Sequence, residues 1–208
     1  MFIFVHEQKD TIMSKSKVLV GFVLIVYILF SVFEFTGKYE LSFYFESLII
    51  PLITLIYILY VKNKDIYFLL FLVFYAMAED YVIFEFQYYI ANSMYIIAYL
   101  LLFIKISKSL SLIYVIKNFK IHLIVLTILN VYLIYVLQVI VKPNTAMYMD
   151  YYFELVYNII TLTLLSMALL NYFYRDNKKS LYLFLGVLSL VFSEVIDIAF
   201  IYIAQRSI

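Results

Sequence analysis

The apolar residues of this chain come in seven blocks, most close to twenty residues long, and that spacing constrains the fold more than any single position. Twenty residues of α-helix span about 30 Å, the thickness of a hydrocarbon core. The blocks run 18–33, 43–61, 66–84, 88–106, 121–141, 149–173 and 181–203. Two thirds of the chain is apolar and only 14% is charged, against roughly a quarter charged in a soluble domain. The sequence therefore reads as all-α, a polytopic transmembrane bundle of about seven helices. Residues 1–17 are expected to be a cytoplasmic N-terminal segment, 18–203 a single transmembrane domain and 204–208 a short C-terminal tail. The first block is short and is expected to start inside the lysine-bearing stretch before it. No small-x-small cleavage site follows that block, so it reads as a retained anchor. Residues 107–120 mix Leu, Ile and Tyr with lysine, and fit either a helix lying on the membrane surface or an extension of a neighbouring span.

Lysine and arginine orient the bundle. With sides alternating at each block, the N-terminal side holds Lys9, Lys15, Lys17, Lys62, Lys64, Lys105, Lys108, Lys117, Lys120, Arg175, Lys178 and Lys179. The other side holds Lys38, Lys142 and Arg206. Twelve against three, out of the fifteen in the chain, makes the N-terminal side cytoplasmic. One block missed or invented would scramble the distribution for every position after it.

Several chemistries are excluded early. The chain has no cysteine, which removes disulfides, thiolate catalysis and cysteine metal sites. Its two histidines, His6 and His122, are too few and too far apart for a histidine metal site or a serine triad. A net charge of +1 gives no reason to expect nucleic acid or an acidic partner. No cofactor is expected. Tyrosines near block ends, such as Tyr39, Tyr88 and Tyr151, read as an interfacial aromatic belt.

Ionisable residues inside the hydrocarbon mark candidate sites, because each is expensive to place there. Glu46 lies in the second block, Glu79 and Asp80 in the third, Glu154 in the sixth, and Glu194 and Asp197 in the seventh. Given the alternating direction of the helices, all six fall in the outer half of the membrane. Ser47, Asn92, Ser93, Gln138, Tyr157, Asn158 and Ser193 map to the same half. Helical spacing lets Glu154 share a face with Tyr157 and Asn158, and Glu194 with Asp197. The inner half reads as almost purely apolar and aromatic. Pro51 cannot donate to the carbonyl of Ser47, so a bend is expected in the second helix. No lysine or arginine lies deep enough to neutralise the acids. A neutral carboxylic acid beside an ionised one would suit general acid–base work. Equally, such acids can tie helices together by hydrogen bonds.

The motifs, taken in order, resemble one family. Glu46-Ser47 ahead of Pro51-Leu52 resembles the proline-leucine opening of the second helix in YhhN-like membrane proteins. Ala78-Glu79-Asp80 stands where that family has Gly-Asp, and Asn92-Ser93-Met94-Tyr95 resembles its His-x-x-Tyr segment. Tyr157 with Met167-Ala168 resembles a tyrosine followed by methionine and alanine. Gly186 through Ser193-Glu194 resembles its Gly-x-x-x-Phe-x-x-Ser-Asp pattern, with Glu for Asp. The resemblance extends over residues 18–203. It implies a lysoplasmalogenase, an integral membrane hydrolase of the vinyl ether bond of a lysophospholipid, with Asp80 and Glu194 as the catalytic acids. Glu46, Glu79, Asn92, Ser93, Glu154, Tyr157, Asn158, Ser193 and Asp197 would then bind substrate or support the pair. It also implies a bacterial inner membrane as the location. Here the family's lysine before the proline is absent, Asn92 replaces its histidine, and its eighth helix has no counterpart by Ile208. A second copy or a partner helix is the expected way to fill that place. Two other readings stay open: a non-catalytic family member, and a small transporter whose carboxylates bind a cation or protons.

Overall fold

A computed structural model describes residues 2–83, 88–141 and 148–203; side chains at 2–16, 88, 112, 148–150 and 197–203 are outside that description. Lys142, Glu85, Arg206 and the 204–208 tail therefore lie outside the described residues, as do the side chains of Asp150 and Asp197. The described residues form eight helices: α1 (Phe2–Phe35), α2 (Tyr39–Tyr60), α3 (Ile66–Ile83), α4 (Tyr88–Ser109), α5 (Leu112–Asn118), α6 (Lys120–Val141), α7 (Tyr148–Arg175) and α8 (Lys178–Ile203). Seven of them are long and apolar enough to cross a membrane, and they are the seven blocks of the sequence. Side chains such as Leu24, Ile121, Tyr135 and Tyr182 are more than half exposed. Apolar area on that scale is tolerated in lipid and not in water.

The ends differ from the blocks in instructive ways. Helix α1 begins at Phe2, ahead of all three lysines of that stretch, and its apolar span starts at Lys17, inside the stretch as expected. Residues 107–120 divide between the two readings: α4 continues to Ser109, and a separate seven-residue α5 follows it. Helix α2 runs without interruption through Pro51. Helix α8 starts three residues early because Asn177 Oδ1 accepts the Ser180 amide at 2.9 Å, which caps its first turn.

The chain divides into two compact units, Met1–Ala98 and Tyr99–Ile208. In the first, α1 and α2 form a hairpin turned by Gly37, whose φ of +71° is open to glycine at little cost. Phe33 stacks on Phe45 across this hairpin at 5.4 Å, and the fully buried Ser42 donates its hydroxyl to Glu34 Oε2 at 2.7 Å. Asp65 Oδ1 accepts the amides of Tyr67 and Phe68 and so caps α3. The phenol oxygen of Tyr57 accepts the Asp65 amide, and the Tyr57 ring meets Phe68 edge-on at 5.0 Å. Tyr75 and Tyr95 join α3 to α4 at 5.4 Å.

In the second unit, α6 packs on α7 and α8, and α7 packs on α8. Asn130 Nδ2 donates to Ser166 Oγ at 2.9 Å, tying α6 to α7. Near the lysine-rich end, Ser109 donates to Asn171 Oδ1 at 2.7 Å, and Arg175 donates through Nε and Nη2 to the Ser109 carbonyl. That guanidinium satisfies a carbonyl the end of α4 would otherwise leave open. Buried Asn171 and Ser166 correct one expectation, since the lysine-rich half of this unit is not purely apolar. Both residues sit on α7, and each faces a different neighbouring helix.

Candidate functional site

The polar residues singled out by sequence fall into two groups, one in each unit. In the first unit Asp80 is half-buried on α3, at a groove of about 300 Å³ between α2 and α3. Pro51, Thr54 and Ile58 form one wall of it and Val73 and Met77 the other. It is an apolar trough with one carboxyl group. Glu46 and Glu79 are both half-buried. The Tyr57–Phe68 contact fixes the α2–α3 register, and Glu46 and Glu79 each lie eleven residues from it toward the lysine-poor end. They therefore sit at the same depth, about 16 Å from that contact. Asn92 is buried, and its Nδ2 has no hydrogen-bond partner among the described residues. Ser93 donates to the Tyr89 carbonyl at 2.7 Å and is thereby tied to its own helix.

The second unit holds the more connected group. Glu194 on α8 accepts the phenol hydroxyl of Tyr99 at 2.7 Å on Oε1. Tyr99 is buried on α4, and its ring meets Tyr157 of α7 at 5.8 Å. Tyr157, Asn158 and Glu154 are all buried on one side of α7, as their spacing predicts. Thr161 continues that side by one further turn and is also buried. Ser193 is exposed and faces away from the group, while the side chain of Asp197 is outside the described residues.

Chemically, this group can hold a carboxyl group in one orientation and offer amides and hydroxyls beside it. The Tyr99 hydroxyl fixes the direction of Glu194 Oε1, and the Tyr99–Tyr157 contact fixes the phenol in turn. Sequence reasoning missed Tyr99, and nothing local distinguishes it from the chain's other tyrosines. Thr161 was within reach of it, because it stands three residues past Asn158 and seven past Glu154, on the same helical face. No protein-family model, curated protein or solved structure matches this chain.

Proposed function

We propose that this chain is an integral membrane hydrolase of the lysoplasmalogenase type, acting on the vinyl ether bond of a single-chain lysophospholipid in a bacterial cytoplasmic membrane. The observation that carries the reading is the oriented Glu194 carboxyl group, hydrogen-bonded to Tyr99 at the lysine-poor end of a buried polar group. Cleavage begins with protonation of the β-carbon of the vinyl ether, which leaves an oxocarbenium ion. Water adds to that ion and gives up a proton to a carboxylate. The hemiacetal then collapses to an aldehyde and the free glycerol hydroxyl. The logic is that of glycosidases with two carboxyl groups. Glu194, whose Oε1 already accepts a hydrogen bond from the Tyr99 hydroxyl, takes the acceptor's part: it stabilises the cation and activates water. The acid that supplies the proton is assigned to Asp80 by the resemblance alone.

One observation bears on the transport reading. Polar pairs continue toward the lysine-rich end of the second unit, as buried Ser166 with half-buried Asn130 and buried Asn171 with half-buried Ser109. These pairs close on each other, as helix ties do. Among the described residues, the buried amides of this unit with open hydrogen-bonding positions, Gln138 and Asn158, lie at the other end. Ser107 Oγ is the exception near the lysine-rich end, and a serine hydroxyl closes on its own helix by one rotamer change. This pattern supports a site entered from one side over a path through the membrane.

The test is aldehyde release from a lysoplasmalogen by the purified chain in detergent, beside Asp80→Asn and Glu194→Gln. Release by the wild type, lost in both variants, is the expected result. A folded wild type that releases no aldehyde removes the hydrolase and makes ion flux into proteoliposomes the next measurement.

A further inference from the structure

Gln138, Asn158 and Thr161 of the second unit are 6%, 2% and 4% exposed. Among the described residues, Gln138 Nε2, Gln138 Oε1, Asn158 Nδ2 and Thr161 Oγ1 have no hydrogen-bond partner. Buried polar atoms are paired in nearly all folded proteins, so several open positions on neighbouring helices need an explanation. The threonine hydroxyl can turn onto its own helix, and an asparagine amide can reach the carbonyl four residues back, as Asn118 does to Tyr114 at 3.0 Å. The Gln138 amide, open at both ends, is the group that most needs a partner.

These groups share a depth. The Asn130–Ser166 bond sets the register of α6 on α7. Gln138 lies eight residues beyond Asn130 and Asn158 eight residues before Ser166. Both are therefore about 12 Å from that tie, toward the lysine-poor end. Thr161 is one turn nearer to it.

The open atoms define the ligand by elimination. A metal cation takes acceptors alone, and it would leave both amide nitrogens, which are donors, still without partners. An anion would face those donors but lie on the same helix side as Glu154, with no lysine or arginine described at this depth. A neutral diol both donates and accepts, and each amide can serve it in both directions. Val139 and Ile159, the next residues along each helix, are exposed to the surroundings of the bundle. A hydroxylated head held at the amides would thus continue into an apolar tail in the bilayer.

We propose that the lysine-poor ends of α6 and α7 bind the glycerol hydroxyls of a single-chain membrane lipid through Gln138, Asn158 and Thr161. This is a statement about binding, and it stands whether or not any bond is cleaved.

The full chain is purified in lauryldimethylamine oxide, whose head group carries no hydroxyl, and melted by circular dichroism at rising concentrations of 1-monooleoylglycerol. The midpoint rises with this lipid, and neither methyl oleate nor free glycerol at the same concentrations reproduces the rise. Gln138→Leu and Asn158→Leu each weaken the lipid effect about tenfold, the worth of one or two hydrogen bonds. Their own melting without lipid stays at or above that of the wild type, because apolar replacements remove unpaired polar groups. Thr161→Val is the second probe should a leucine variant not fold. Equal stabilisation by methyl oleate overturns the proposal, as does stabilisation by glycerol alone or by sodium ions. So does a lipid effect unchanged in the variants, or a loss of stability in both leucine variants without any lipid effect, which is the mark of a mutual amide tie. Because monooleoylglycerol has no vinyl ether, failure here leaves the aldehyde assay untouched, and the reverse also holds.

Discussion

Replacing Tyr99 by phenylalanine removes one hydroxyl from the interior of the second unit and leaves the ring in place. The ring still meets Tyr157 at 5.8 Å, so the packing between α4 and α7 is kept. What is lost is the 2.7 Å bond to Glu194 Oε1. Polar ties between membrane helices average about 0.6 kcal/mol and reach about 1.7. Tyr99 is buried while Glu194 is only half-buried, which places this bond at about 1 kcal/mol on that scale. A double-mutant cycle of Tyr99→Phe and Glu194→Leu isolates it, because contacts made by either residue alone cancel. The readout is equilibrium unfolding in mixed micelles of increasing dodecyl sulfate content, followed by helix signal. The expected coupling is about 1 kcal/mol, roughly a fivefold change in the unfolding constant. A coupling indistinguishable from zero, with both single variants folded, would refute the idea that Tyr99 orients Glu194. In the hydrolase reading, Tyr99→Phe also lowers kcat while leaving KM close to that of the wild type, since the bond acts on the carboxyl group and not on the lipid.

Two further outcomes test the packing. Gly37→Ala meets no atom within 4 Å, so its cost is the left-handed backbone alone, about 1 kcal/mol in the same unfolding assay. Asn130→Leu strands the buried Ser166 and costs about 1 kcal/mol, Ser166→Ala strands only the half-buried Asn130 and costs less, and the double variant is no less stable than the worse single one.

The spans were legible in the sequence because crossing a membrane demands length and apolarity, both of which are local properties. All seven appear: the start of α3, capped by Asp65, stands at 66 as read, that of α8 moves three residues earlier where Asn177 caps it, and α1 runs sixteen residues further back than its block. The Glu154–Asn158 face was legible for the same reason, since one helix carries it. What could not be read was pairing between helices. Tyr99 meets Glu194 across 95 positions of sequence, and no period within α4 or α8 announces that bond. The ties of Asn130 to Ser166 and Ser109 to Asn171 were hidden likewise. An asparagine in an apolar run can face lipid, solvent or a partner, and only the packed bundle decides. Ser193 shows the converse. It stands beside Glu194 in sequence, yet a step of about 100° around the helix turns it outward.

The hairpin of α1 and α2 also bears on how the chain enters the membrane. The membrane span of α1 is only 6% buried, and its principal packing partner is α2. A helix so little engaged gains nothing by waiting for the later spans during synthesis. Its one acid near the turn, Glu34, is met by Ser42 as soon as the first turns of α2 have formed. The pair is thus suited to leave the translocation channel together as a finished unit. Helices α1 and α2 would then reach the lipid already paired while the ribosome is still making α3 to α8.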